Sequence, residues 1–277
     1  MKIAVAVAPE NALPSAFVVF RGIEESIKKA AELGYDGVEL ALRDKYQVDL
    51  SKVKRLIKEF GLEIPVISSG QVFSDSKFWL TARDKDIRYK ACEALKDLID
   101  VASEFGAMVN MGRVRGFIEA GEAAEETVER FAGVMEGISA YACSAGVTLI
   151  LEPVNRYEIN FINNLDEGVE LIKKLKLKDL KLMPDLFHMN IEDVSIEGNL
   201  KKYIDYIGYI HFADSNRLAP GWGHLDFKSI VDTLYKVGYN GWISVEILPK
   251  PDPDSSASQA IHFLRKFITQ VTVLRFD

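Results

Sequence analysis

Eight times along this chain a short apolar run gives way to a longer segment with a single apolar face, and that alternation restricts the fold more than any other feature. The runs are Ile3–Val7, Gly37–Leu40, Ile64–Ser68, Ala107–Met111, Val147–Leu151, Leu180–Met183, Ile207–Ile210 and Trp242–Val245. Such near-continuous runs read as parallel strands buried on both faces. Between them apolar residues recur at helical spacing, as in Leu50, Val53, Leu56, Ile57 and Phe60, or Phe227, Ile230, Leu234 and Val237. Further helices are expected over Ile23–Ala30, Ile87–Phe105, Val128–Ile138, Leu165–Leu175, Ser195–Tyr206 and Ile261–Ile268. Gly34, Gly61, Gly106, Gly146 and Gly238 stand where a left-handed residue would end a helix. Strand and helix in strict alternation predict a parallel sheet. Eight such units predict a closed (β/α)₈ TIM barrel, an α/β fold, as one domain over residues 1–277. A weak echo supports the repeat, since Gly34-Tyr35-Asp36-Gly37 and Gly238-Tyr239-Asn240-Gly241 both join a helix to a strand. A doubly wound open sheet would need a glycine-rich turn after its first strand, and Ala8-Pro9-Glu10 is not one.

Composition removes several classes of function. A net charge of −7 leaves no basic footprint for reading a nucleic-acid backbone. No apolar stretch is long enough to span a membrane, and Ile3–Ala8 is too short for a signal peptide. Cys92 and Cys143 show neither metal nor disulfide spacing, so two buried thiols in a reducing, cytoplasmic setting are expected.

Four of the apolar runs end on a potential metal ligand. Val147–Leu151 leads to Glu152, with Pro153 barring further ladder pairing; the later runs lead to Asp185, His211 and Glu246. Each gap is about one βα repeat of roughly 30 residues, so consecutive strands would present all four on one face. In a (β/α)₈ barrel that C-terminal face carries the active site. Three carboxylates and an imidazole form a hard site suited to Mn²⁺ or Mg²⁺, with Co²⁺ or Zn²⁺ as competitors. Taken singly, a strand-end carboxylate often caps a helix, and a lone histidine is often a core residue.

Glu152-Pro153-Val154-Asn155-Arg156, Pro184-Asp185-Leu186-Phe187-His188, Ile210-His211-Phe212-Ala213-Asp214 and Val245-Glu246 together resemble the xylose-isomerase-like barrel superfamily. Within it they are most similar to the ketose 3-epimerase branch. The resemblance implies one divalent ion, usually Mn²⁺, on Glu152, Asp185, His211 and Glu246. It makes Glu152 and Glu246 an acid–base pair that inverts the carbon beside the ketone of a sugar through an enediolate. It also assigns sugar binding to Glu158, His188 and Arg217, each of which follows a ligand within one βα loop. Aldose–ketose or hydroxypyruvate-type isomerisation uses the same groups and stays open. The superfamily's apurinic endonuclease fits poorly. It needs a histidine-rich trinuclear centre, whereas strands three and four end in Ser68-Ser69-Gly70 and Asn110-Met111-Gly112.

Three loop features each carry two readings by sequence. Arg113 and Arg115, just after the fourth strand, suit the carboxylate of a keto sugar acid or a phosphate, or else a loop charge or subunit contact. Phe17, Val18, Phe20, Phe73, Phe78 and Trp79 suit a shield over the reacting carbon, or an interface in a homo-oligomer. Trp222 and His224 suit the pocket or mere loop packing.

Overall fold

In the computed structural model, which describes residues 1–14, 16–177 and 179–268, the alternation becomes a ring. Its first half runs β1 (Lys2–Ala8), β2 (Phe20–Arg21), α1 (Ile23–Leu33), β3 (Gly37–Ala41), α2 (Leu50–Phe60), β4 (Val66–Ser68), α3 (Gly70–Ser74), α4 (Lys85–Ser103), β5 (Met108–Met111) and α5 (Ala124–Ser144). The second half is β6 (Leu149–Leu151), α6 (Leu165–Leu175), β7 (Leu180–Leu182), α7 (Leu186–Glu192), α8 (Ile196–Tyr203), β8 (Tyr209–His211), α9 (Phe227–Lys236), β9 (Trp242–Val245) and α10 (Pro253–Leu264). All pairings are parallel, in the order β7-β6-β5-β4-β3-β1-β9-β8, and β2 adds to the rim beside β1. Parallel bridges from Leu182 to Ile207 and from Asp185 to His211 join β7 to β8 and close the circle.

Local chemistry starts and stops these helices. Side chains of Asp49, Asp84, Asn164, Asp226 and Asp252 accept backbone N–H groups at the first turns of α2, α4, α6, α9 and α10. Gly34 ends α1 at φ 87°, a left-handed conformation that costs a residue without Cβ nothing. In the echoed turns Tyr35 and Tyr239 are both buried and hydrogen-bonded through their hydroxyls.

Period-two alternation then sorts each strand's side chains. Ile3, Val5 and Val7 of β1 pack outward with the helices, whereas Ala6 and Ala8 belong to a separate cluster inside the ring. Val66, Ile150, Met183 and Tyr209 meet as an apolar plug in the barrel. Two residues further along from each of these four stand Ser68, Glu152, Asp185 and His211. The site therefore rests on a packed floor.

Some expectations change. The long third loop folds in part into α3, Phe20 lies in the short strand β2, and a helix, α7, follows β7 directly. The last helix stops at Leu264, short of Ile268. The expected pair of buried thiols is corrected: Cys92 is half-buried, Cys143 is exposed on the outer face of α5, and neither is bridged. Among the described residues no helix is long and apolar enough to cross a membrane.

Candidate metal centre and substrate cavity

Glu152, Asp185, His211 and Glu246, each at or just past the end of its strand, converge. One ligand atom from each lies within 4.8 Å of the others. His211 is fully buried, and its Nδ1 has no hydrogen-bond partner. It faces carboxylate oxygens of Glu246 at 3.5 Å, Glu152 at 3.6 Å and Asp185 at 3.9 Å. An unpartnered buried nitrogen among three carboxylates is a set of donors that a divalent cation completes. The residues present therefore fit such an ion, and among the described residues they form a single cluster.

The orientation of His211 is set by a residue that the sequence reading passed over. Glu39 on β3 is wholly buried, and its two oxygens lie 3.1 and 3.0 Å from His211 Nε2. With Nε2–H donated to that carboxylate, the lone pair of Nδ1 faces the cluster, the arrangement that orients metal-bound histidines. The signal was present in the sequence: one charged residue inside the otherwise apolar run Gly37–Ala41 is costly to bury without a partner.

Without a cation the two glutamates are driven apart. Burial pushes Glu152 up, but His211, His188 and Arg217 outweigh it and hold its carboxyl down at about 2. Burial, reinforced by Glu152 and Asp185, pushes Glu246 up to about 8 against the pull of His211 and Arg217. His211 is held well above its ordinary range, since the negative charges of Glu39 and Glu246 outweigh burial. A bound cation favours the charged form of both carboxyls.

Arg217 and His188 complete the inner shell. Arg217 donates to Asp185 Oδ2 at 2.6 Å and also to Glu246, with its guanidinium between the rings of Phe17 and Phe187 at 4.7 and 4.9 Å. Asp185 also caps α7 by accepting from Phe187 N–H at 2.8 Å, the capping part the sequence allowed. Asn155 has its amide oriented by Tyr157 N–H at 3.0 Å, which turns Nδ2 toward His188 Nδ1 at 2.7 Å. Nδ1 is thus an acceptor and Nε2 carries the proton. Burial, which lowers the His188 pKa, agrees with a neutral ring. Its Nε2 lies 3.8 Å from Glu152 and 3.9 Å from Asp185.

Glu152, His188, Arg217 and Glu246 line a cleft at the barrel mouth that holds about 570 Å³ of empty space, its opening to solvent included. Glu158 and Arg113 stand in its wall as an ion pair at 3.7 Å, and Arg113 lies 5.5 Å from the centre of the Phe73 ring. Phe17 and Val18 also line it, whereas Phe78, Trp79 and Phe20 do not. Gly112 passes so close to Glu152 that a Cβ there would sit 2.7 Å from its Oε2.

Arg115 does not reach this cavity, which corrects its place in the arginine fork. It is completely buried, and its guanidinium donates to the carbonyls of Phe161 at 2.9 Å, Gly112 at 2.9 Å and Ile162 at 2.8 Å. Ile162 has φ 62°, a strained value for a β-branched residue. Arg115 clamps the loop that carries Glu158. Trp222 and His224 are outside the cavity wall too. His224 packs by Nδ1 against Ser215 Oγ at 2.9 Å, in a loop organised by the buried carboxylate of Asp214.

Comparison with known proteins agrees with this geometry. Residues 27–267 match the Xylose isomerase-like TIM barrel family. L-ribulose 3-epimerase of Methylomonas is 29% identical across 87% of this chain and 83% of its own length. D-psicose 3-epimerase of Ruminiclostridium cellulolyticum is 31% identical across 79% of this chain and 76% of its own. The crystal structure of D-allulose 3-epimerase from Methylomonas in complex with D-allulose superposes with a TM-score of 0.80 at 26% identity, covering 97% of each chain. The chain belongs to the Xylose isomerase-like TIM barrel family and stands there with the ketose 3-epimerases.

Proposed function

We propose that the protein is a divalent-metal-dependent sugar epimerase that inverts the carbon next to the ketone of a ketose or keto sugar acid. The observation that carries this is the convergence of Glu152, Asp185, His211 and Glu246 around the orphaned Nδ1 of His211. The names of the relatives support a sugar epimerase, and the oxygen-rich donors support Mn²⁺ as the ion.

When bound, the cation stabilises the negative charge that develops on the substrate's oxygens as the carbon acid ionises. The remaining work falls to this chain's own groups. One of Glu152 and Glu246 removes the proton from the carbon, and the other delivers a proton to the opposite face. His188, neutral with Nε2–H turned inward, donates to a substrate oxygen. Arg217, pinned between two aromatic rings, fixes a neighbouring hydroxyl, and Glu158 accepts from the sugar's end. Arg113 contacts the substrate beside Glu158. Phe17 and Val18, at the mouth, exclude water from the reacting carbon. Two unbridged cysteines support a cytoplasmic setting.

Metal content and hydrogen exchange test the proposal together. The expected result is one ion per chain and deuterium incorporated from D₂O at the carbon beside the ketone, with the inverted sugar as product. Exchange at the terminal carbon on the other side of the ketone, with an aldose as product, would replace the epimerase with an isomerase. Three zinc ions and no exchange would end the proposal.

A further inference from the structure

We infer that Arg217 is an internal counter-cation of the metal centre. Its guanidinium holds ligand oxygens of Asp185 and Glu246, steadies the metal-free site and limits how tightly the divalent ion is held. The inference rests on the metal centre of the reading above and concerns its loading, not the sugar.

The guanidinium and the ion would share the same atoms. Asp185 Oδ2 and Glu246 Oε2 face His211 Nδ1 at 3.9 and 3.5 Å. Asp185 Oδ2 also accepts from one terminal nitrogen of Arg217 at 2.6 Å, and Glu246 Oε2 accepts from the other. The second oxygen of Asp185 is engaged by Phe187 N–H. Arg217 therefore bridges two of the four ligands at oxygens turned toward the histidine. A permanent positive charge in that place does part of a metal's work.

The guanidinium is not free to withdraw when an ion arrives. Arg217 is 4% exposed, and its charged group lies between the rings of Phe17 and Phe187. Its backbone is left-handed at φ 63°, a conformation that costs a residue with a Cβ and is kept only where the surroundings impose it. Here Arg217 N–H donates to the carbonyl of Asp214 at 2.8 Å, and Asp214 N–H donates to the carbonyl of Leu218 at 3.0 Å, closing the turn. The Arg217 carbonyl accepts from Leu248 N–H at 2.8 Å, which ties the turn to the chain beyond β9. A positive charge fixed beside the ligands repels a cation strongly, because burial keeps solvent and salt from screening it. The same charge offsets the mutual repulsion of the carboxylates before an ion binds. Arg217 thus stabilises the metal-free protein and weakens its hold on the metal.

Calorimetric titration with Mn²⁺ and thermal unfolding of the metal-free, full-length protein test this on Arg217→Met, Arg217→Gln and Arg217→Lys. The two neutral variants should bind Mn²⁺ about tenfold to hundredfold more tightly than wild type. Their metal-free forms should melt roughly 5–10 °C lower. Arg217→Gln retains an N–H donor, so it separates loss of charge from loss of hydrogen bonding and carries the test if Arg217→Met does not fold. Arg217→Lys keeps the charge, and its affinity should stay nearer to wild type than to Arg217→Gln. Neutral variants that bind Mn²⁺ no more tightly than wild type would overturn the inference and make Arg217 an organiser of the ligands. Metal-free neutral variants as stable as wild type would overturn it as well. If neither wild type nor any variant binds Mn²⁺, the metal centre itself falls, and the inference with it.

Discussion

The two halves of the barrel mouth are made from opposite materials. From β6 to β9 the strands end on Glu152, Asp185, His211 and Glu246, charged groups with few neutral partners. On β1, β3, β4 and β5 the inward residues nearest the rim are Ala8, Ala41, Ser68 and Asn110, with Gln71 just beyond; these are small or uncharged, and two of them have an amide oxygen without a partner. The exceptions are Arg113, which pairs with Glu158 across the cavity wall, and Glu39, which sits one step below the first-half rim and faces His211 of the other half. The difference teaches that charge is concentrated on one side of the barrel mouth, where the metal ligands expected from sequence and the polar groups proposed to hold the sugar stand together. One half concentrates charge, and the rim of the other is largely uncharged. Gly112 marks the seam, where the neutral wall passes against Glu152.

Substitutions on either side can break this division. The largest effect is expected from Glu246→Gln, which should slow exchange by about 10²- to 10⁴-fold while close to one ion per chain remains bound. Near-normal turnover in that variant would remove the second half's claim to the proton chemistry. Next comes Arg115→Met in the first half, which strands three backbone carbonyls and should lower unfolding stability by about 3 kcal/mol. Thermal unfolding should register that loss with metal content unchanged, since Arg115 supports a loop. A stable variant with weakened substrate affinity would return Arg115 to the substrate. The smallest of the three is Glu39→Gln. It leaves an oxygen to accept from His211 but removes the charge, so metal affinity should fall about tenfold to hundredfold in titration calorimetry. The metal-free variant should also melt lower than wild type, because Glu39 is the buried charge that faces His211 there. A drop in melting temperature with unchanged affinity would make Glu39 a mere packing element and restore a clean split between the halves.

Much of this was legible in the chain itself, for a physical reason. A strand buried on both faces must be apolar throughout, and a helix lying on it must be apolar on one side, so eight repeats of that pattern left the closed barrel as the natural solution. Since parallel strands in a barrel all end on one face, Glu152, Asp185, His211 and Glu246 could be grouped from spacing alone. Other features depend on contacts between residues far apart in the chain, and periodicity carries no record of them. Glu39 and His211 are 172 residues apart, and nothing local announces their pairing. Arg113 and Arg115 look equivalent in sequence, yet the turn Arg113–Arg115 leaves one in the cavity wall and drives the other into the interior, where three carbonyls hold it. Gln71 entered the site only because part of an irregular-looking loop coiled into α3. Sequence determined the ring and the four groups that crown half of it, because burial imposes a pattern on every strand and helix. Tertiary structure decided which polar side chains keep a free atom for a ligand, because that depends on whether a neighbour from another strand has already claimed it.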